Sequence, residues 1–261
     1  MLKKLIIKIL NLIRLFLTAI SILNSKIKHI LKKHVLPENN QHPYSSFLTK
    51  KVFHLYEDEQ VEKSYKTYRK YFDNSVFLNY WDLKKYSIQK SLENDNNQKK
   101  FYLEFGVLGG GTINLFSKYL KTNIYGFDSF IGLKEDMVGA DHLKGDFNLQ
   151  GKIPSLRNNV IPIKGWVQET LPKFLNEKKP LINFVHMDLD TYESTKFVLL
   201  SIKKYLDKNC IIIFDDFYNF AGWEMGENKA FNEVFTESEF SFLAFSKYDR
   251  TVSIKFKGNN K

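Results

Sequence analysis

Acidic residues recur where short apolar runs stop. Glu104 sits inside Phe101–Gly106, Asp128 closes the run from Asn123, Asp188 follows Leu181–Met187, and Asp215-Asp216 follow Cys210–Phe214. Each alone would serve as a helix cap or a turn residue. Four such positions together point to a shared site. Gathered carboxylates repel one another unless a cation lies among them. The all-oxygen set Asp188, Asp215 and Asp216 suits Mg²⁺ or a similar hard divalent cation rather than zinc. Such an ion can hold two vicinal hydroxyls and ease the loss of a proton from one of them. Asp128 falls roughly twenty residues beyond a glycine-rich turn, a place from which a carboxylate accepts the hydroxyls of a ribose.

That turn lies in Phe101-Tyr102-Leu103-Glu104-Phe105-Gly106-Val107-Leu108-Gly109-Gly110-Gly111-Thr112. An apolar, aromatic run ending at Gly106 predicts a buried strand. Thr112, followed by Ile113, Phe116 and Leu120 at helical spacing, predicts the start of a helix. Glycines there let backbone approach a ligand closely. The spacing is Gly-x-x-Gly-Gly-Gly, not the Gly-x-Gly-x-x-Gly of a nicotinamide-binding unit, which counts against a dehydrogenase.

The elements that position these residues follow from periodicity. Strands are expected at 101–105, from Asn123 to Asp128, from Val160 to Trp166, from Leu181 to Asp188 and from Cys210 to Phe214. Helices are expected around Phe197–Leu206 and Ala230–Phe235, and over most of 44–94, where Val76, Phe77, Trp81, Ile88 and Leu92 form part of a packing stripe. Two alternating runs, Phe240–Phe245 and Thr251–Phe256, lack a helix between them and predict an antiparallel pair at one edge. Alternating strands and helices imply an α/β fold with a doubly wound, mostly parallel, seven-stranded sheet. In such a sheet, ligands bind beyond the carboxyl ends of the strands. The stretch from Ile131 to Asn158 carries several glycines and little periodicity, as expected of a functional lid.

Composition narrows the function class. The chain has 261 residues and a formal net charge of +10. Eight of its 39 basic residues precede the first acid, Glu38, leaving 31 against 29 acids. The excess therefore belongs to the N-terminal arm, and nucleic acid is not an expected partner. In residues 1–36 polar residues recur at steps of three or four, with Leu5, Ile9, Leu12, Phe16 and Ile20 opposite, the pattern of an amphipathic basic helix. Lys8 and Arg14 would each cost about 2.5–3.5 kcal/mol inside a bilayer, so such a helix would lie on a membrane surface or against another copy of the chain in a homo-oligomer. The single cysteine, Cys210, permits no intrachain disulfide, so nothing points to an oxidising compartment. The expected location is cytoplasmic, at the inner face of the cytoplasmic membrane if the arm binds lipid. The expected division is the arm (1–36), a linker and helical cap (37–98) and a catalytic domain (99–261).

The ordered motifs resemble the class I S-adenosylmethionine-dependent methyltransferases, and more narrowly the macrocin O-methyltransferase family and its bacterial sugar O-methyltransferase relatives. The resemblance is carried by Glu104-Phe105-Gly106-Val107 with the glycines, Tyr125-Gly126-Phe127-Asp128-Ser129-Phe130, Gly145-Asp146-Phe147, Lys164-Gly165-Trp166 with Glu169-Thr170-Leu171-Pro172, His186-Met187-Asp188-Leu189-Asp190-Thr191-Tyr192-Glu193-Ser194-Thr195, Phe214-Asp215-Asp216-Phe217, and Gly222 to Phe231. It implies a Rossmann-like fold. It implies that Glu104, Gly106, Gly109, Gly110 and Thr112 hold the methionine end of the cofactor, that Asp128 and Ser129 hold the ribose, and that Gly165 and Trp166 lie near the adenine. Asp188, Asp215 and Asp216 match the metal positions, with Asp188 also a candidate base. Asp190 reads as a residue that shapes the loop, and His142 and Lys229 as acceptor contacts or bases. The acceptor implied is a small-molecule or glycan hydroxyl, as in surface polysaccharide synthesis. Competing readings are a metal-independent methyltransferase acting on a lipid-linked acceptor and a non-catalytic scaffold for glycan assembly.

Overall fold

The computed structural model describes residues 52–95, 97–140 and 142–258. The expected helix over 1–36 and the first part of the linker lie outside these residues. Among the described residues the order is α1 (Val52–Phe72), β1 (Val76–Leu78), α2 (Tyr80–Leu92), β2 (Phe101–Phe105), α3 (Gly111–Ser117), β3 (Ile124–Asp128), β4 (Val160–Lys164), α4 (Val167–Lys178), β5 (Ile182–Met187), α5 (Tyr192–Ile202), β6 (Leu206–Phe214), α6 (Glu227–Val234), β7 (Phe240–Ser246) and β8 (Val252–Phe256). None of these helices is long and apolar enough to cross a membrane.

The eight strands form one sheet in the order β1-β7-β8-β6-β5-β2-β3-β4. Only β8 runs antiparallel to its neighbours, β6 and β7. Two sequence expectations are corrected here. The sheet has eight strands, not seven, because Val76 and Phe77 lie in β1 and not on a helical stripe. Residues 76–78 pair with Ala244–Ser246. The β7–β8 pair is accordingly not the sheet edge, since β1 adds in parallel outside β7.

Strand order reverses between β2 and β5. The chain runs outward through β3 and β4, then returns to lay β5 on the other side of β2. That switch leaves a crevice at the carboxyl ends of the two strands. Side chains alternate across the sheet. Leu103 and Phe105 of β2 pack with Phe174 of α4 and Val198 of α5. Tyr102 packs on the opposite face with Leu83 of α2 and Phe116 of α3. Burying one such aromatic or aliphatic side chain contributes about 1.5–3 kcal/mol, and it fixes the strand register. The same alternation sends Glu104 and His186, paired in register across β2 and β5, to the face covered by α2 and α3.

Candidate active site

Register brings the strand ends level. Phe105 pairs with Phe127 and with Met187, and Met187 pairs with Phe214. The next residues, Gly106, Asp128, Asp188 and Asp215, therefore emerge side by side. Backbone hydrogen bonds carry the alignment past the strands: Asp188 N–H donates to Phe105 O (2.9 Å), and Asp215 N–H to Met187 O (3.0 Å). A cavity of about 320 Å³ opens over these ends. This falls at the lower end of the range usual for small-molecule sites.

Gly106, Asp128, Ser129, Gly165 and Trp166 form one part of its wall, and Asp188, Asp215 and Asp216 another. His142 and Phe147 reach it from the 131–158 segment, which forms a further side. Gly106 has φ +86°, and a Cβ there would lie 1.8 Å from the carbonyl oxygen of Asp188. Only glycine allows the two strand ends to approach this closely. Asp128 binds the turn it faces: its Oδ2 accepts from Val107 N–H and Leu108 N–H, both at 2.8 Å, and its Oδ1 accepts from Phe130 N–H at 2.6 Å. The turn is thus held by the same carboxylate that the sequence assigns to a ribose. Trp166 precedes α4 at the rim, with Lys134 Nζ 5.5 Å from its ring centroid.

Several expected residues lie elsewhere. Glu104 is fully buried on the α2/α3 face because position alternates along β2, and its Oε1 accepts from Thr112 Oγ1 at 2.7 Å. Thr112 is not the helix cap. The cap is Gly110, and Thr112 lies inside α3, spent on Glu104. Gly109 and Gly110 do not line the cavity. Lys229 also stays outside it, placed by α6 with its Nζ 4.2 Å from the ring centroid of Tyr192.

The acids divide into two kinds. Asp215 is held by partners: Lys84 Nζ and Thr251 Oγ1 (3.2 Å) donate to Oδ1, and Tyr80 Oη (3.2 Å) to Oδ2. Desolvation alone would raise its pKa, but the Lys84 ammonium and His186 together keep it well below the ordinary carboxylate range. Asp188, Asp190 and Asp216 are all shifted upward, first by desolvation and then by neighbouring carboxylates. One ligand oxygen from each of these three falls within 4.8 Å of the others. Asp190, read from sequence as a loop-shaping residue, is turned into this set by a left-handed backbone (φ +61°), with Thr191 N–H donating to Leu189 O at 2.6 Å across it. The left-handed conformation is one that Asp tolerates better than most residues. Arg250 Nη1 donates to Asp216 Oδ1 at 3.1 Å from the β7–β8 connection. Glu227, at the start of α6, accepts Leu189 N–H and Asp216 N–H at 3.2 Å each and so ties both loops together. The donor set is all oxygen, crowded and under-neutralised, and it fits a hard divalent cation.

Residues 103–217 match the profile of a family described as a methyltransferase domain. No curated protein matches the sequence significantly. The fold is similar to the crystal structure of CalS11, a calicheamicin methyltransferase, with TM-score 0.55 and 20% identity over 84% of this chain and 99% of that one. It is also similar to the apo structure of CalS11, described as a TDP-rhamnose 3′-O-methyltransferase, with TM-score 0.50 and 19% identity over 82% and 99% of the two chains. Residues 103–217 thus match the profile of a methyltransferase domain, and the described residues share the fold of CalS11.

Proposed function

We propose that the chain is an O-methyltransferase that methylates a hydroxyl of a sugar with the help of Mg²⁺ or a similar divalent cation, of the macrocin O-methyltransferase kind. The observation that carries this reading is one cavity with two chemically distinct walls: the Gly106–Asp128–Trp166 side and the Asp188–Asp190–Asp216 side. The fold's likeness to a structure described as a sugar O-methyltransferase supports the class of acceptor.

S-adenosylmethionine supplies an activated methyl whose leaving group is neutral, so no acid is needed. The chain's own residues must then bind, align and remove one proton. Gly106 clears room at the turn, Asp128 and Ser129 offer polar atoms to a ribose, and Trp166 offers a flat apolar face for a base. The carboxylates would hold the cation, which would supply Lewis acidity toward an acceptor hydroxyl. Asp188 lies against the Gly106 turn, which places it as the candidate general base. His142 lines the acceptor side. A small hydroxylated acceptor, free or part of a surface glycan, fits the remaining space.

The test combines binding and turnover. S-adenosylhomocysteine should raise the melting temperature. Asp188→Asn should lower turnover about 100-fold or more while sparing that binding. Activity against a panel of nucleotide sugars, read by mass spectrometry, should vanish in excess chelator and return with Mg²⁺. Full rates in chelator would remove the cation from the reading, and no melting shift with the cofactor product would remove methyl transfer.

A further inference from the structure

α2 brings a further charge to the acid cluster from outside residues 103–217. The Lys84 side chain is fully buried at 0% exposure. Its Nζ donates to Asp215 Oδ1, lies 3.0 Å from His186 Nε2 and sits 4.0 Å from the ring centroid of Tyr80. On the far side of the imidazole, His186 Nδ1 faces Glu104 Oε2 at 3.5 Å, and neither atom has a hydrogen-bond partner. A buried ammonium is tolerated only when anions and polar faces surround it. Here they are Asp215, His186 and the Tyr80 ring.

Among the described residues, two sets of side chains bring ligand atoms within 4.8 Å of one another: His186, Asp188 and Asp215, and Asp188, Asp190 and Asp216. Asp188 belongs to both. Lys84 Nζ already contacts two members of the first set and none of the members unique to the second. An ammonium in that position takes the lone pairs an ion would need and repels any second cation.

We propose that Lys84 is a tethered cation: it fills the His186–Asp188–Asp215 set, withdraws Asp215 from metal coordination, and directs the divalent ion to Asp188, Asp190 and Asp216. This rests on the proposal above that a divalent cation acts at the cluster. It differs from the sequence-based metal set in exchanging Asp215 for Asp190. Lys84 is a positioning residue, since it acts through Asp215 and does not line the cavity.

Full-length protein titrated with Mn²⁺, read by electron paramagnetic resonance, tests the assignment. Wild type should bind one Mn²⁺. Asp190→Asn should weaken it about tenfold or more, and Asp215→Asn less than about threefold. Lys84→Met should admit a second Mn²⁺ and lower turnover while S-adenosylhomocysteine affinity stays as in wild type. A purely structural lysine would not change the stoichiometry. If Lys84→Met fails to fold, the comparison of Asp190→Asn with Asp215→Asn decides alone. Loss of Mn²⁺ in Asp215→Asn as large as in Asp190→Asn overturns the proposal, as does a folded Lys84→Met that binds a single Mn²⁺ like wild type. Absence of Mn²⁺ binding in wild type also overturns it, whereas cofactor binding and product formation in the same preparations decide separately whether methyl transfer stands.

Discussion

Replacing Gly106 by alanine isolates the closest approach in the site. The new Cβ would stand 1.8 Å from the backbone oxygen of Asp188, and contacts under 3.0 Å do not occur, so the ends of β2 and β5 must part by at least 1.2 Å, the difference of the two distances. Two hydrogen bonds oppose that movement: Gly106 N–H to Phe127 O and Asp188 N–H to Phe105 O, both 2.9 Å. Losing or weakening both costs about 1–3 kcal/mol. The left-handed backbone, φ +86°, adds about 1–2 kcal/mol once a Cβ is present. The total is about 2–5 kcal/mol, equivalent to a fall in melting temperature of about 10 °C for a domain of this size. Two controls separate the contributions. Gly145 has φ +91° and nothing within 4 Å of its Cβ position, so Gly145→Ala should show only the conformational cost, about 1–2 kcal/mol. Gly109 has open space and no positive φ, so Gly109→Ala should stay within about 0.5 kcal/mol of wild type. Calorimetry of the three variants, with titration of S-adenosylhomocysteine into Gly106→Ala, measures the series. Gly106→Ala should also lose affinity about tenfold, because a 1 Å displacement at this turn moves a cavity wall. If it melts together with Gly145→Ala, the close approach of the two strand ends is not what demands glycine.

Two further predictions concern other parts of the chain. Cys210 is fully buried in β6 and burial holds its thiol well above the ordinary pKa, so it should resist a thiol reagent in the folded protein and react at once in denaturant. Rapid labelling of native protein would contradict the β6 assignment. If the basic amphipathic arm binds lipid, deleting residues 1–36 should move the protein from pelleted membranes to the soluble fraction. An unchanged distribution would leave contact between copies of the chain as the arm's role.

Much of the sheet was legible because its strands are buried on both faces and read as unbroken apolar runs. Cys210–Phe214 stops at two acids, and the register in the folded chain places those acids where the pattern indicates. β1 was hidden for the opposite reason. Three residues between two helices carry too little periodicity, and their partner strand lies some 168 residues later, Val76 against Ala244. Glu104 shows a signal that was present but unread. It alternates with Leu103 and Phe105, so it had to face α2 and α3 and could not share the side of those residues. Asp190 was read only as a loop residue, and its place in the acid cluster, like that of Lys84 beside Asp215, was not legible. A left-handed turn decides the first and a contact across 131 positions decides the second, and neither leaves a trace in local spacing.

The acids at the strand ends differ in how they are neutralised. Asp215 is neutralised from within the fold, by a helix packed on one face of the sheet, and is settled before any ligand arrives. Asp188, one strand over, feels Lys84 only at longer range, and its pKa is raised by desolvation together with the carboxylates of Asp215 and Asp190. It is also the residue whose backbone touches the position a Gly106 side chain would take. Asp188 and the Gly106 turn are therefore adjacent strand ends joined by one hydrogen-bond ladder. A shift in either displaces the other, so on the proposed reading the sheet itself helps to align an acceptor oxygen with the methyl donor.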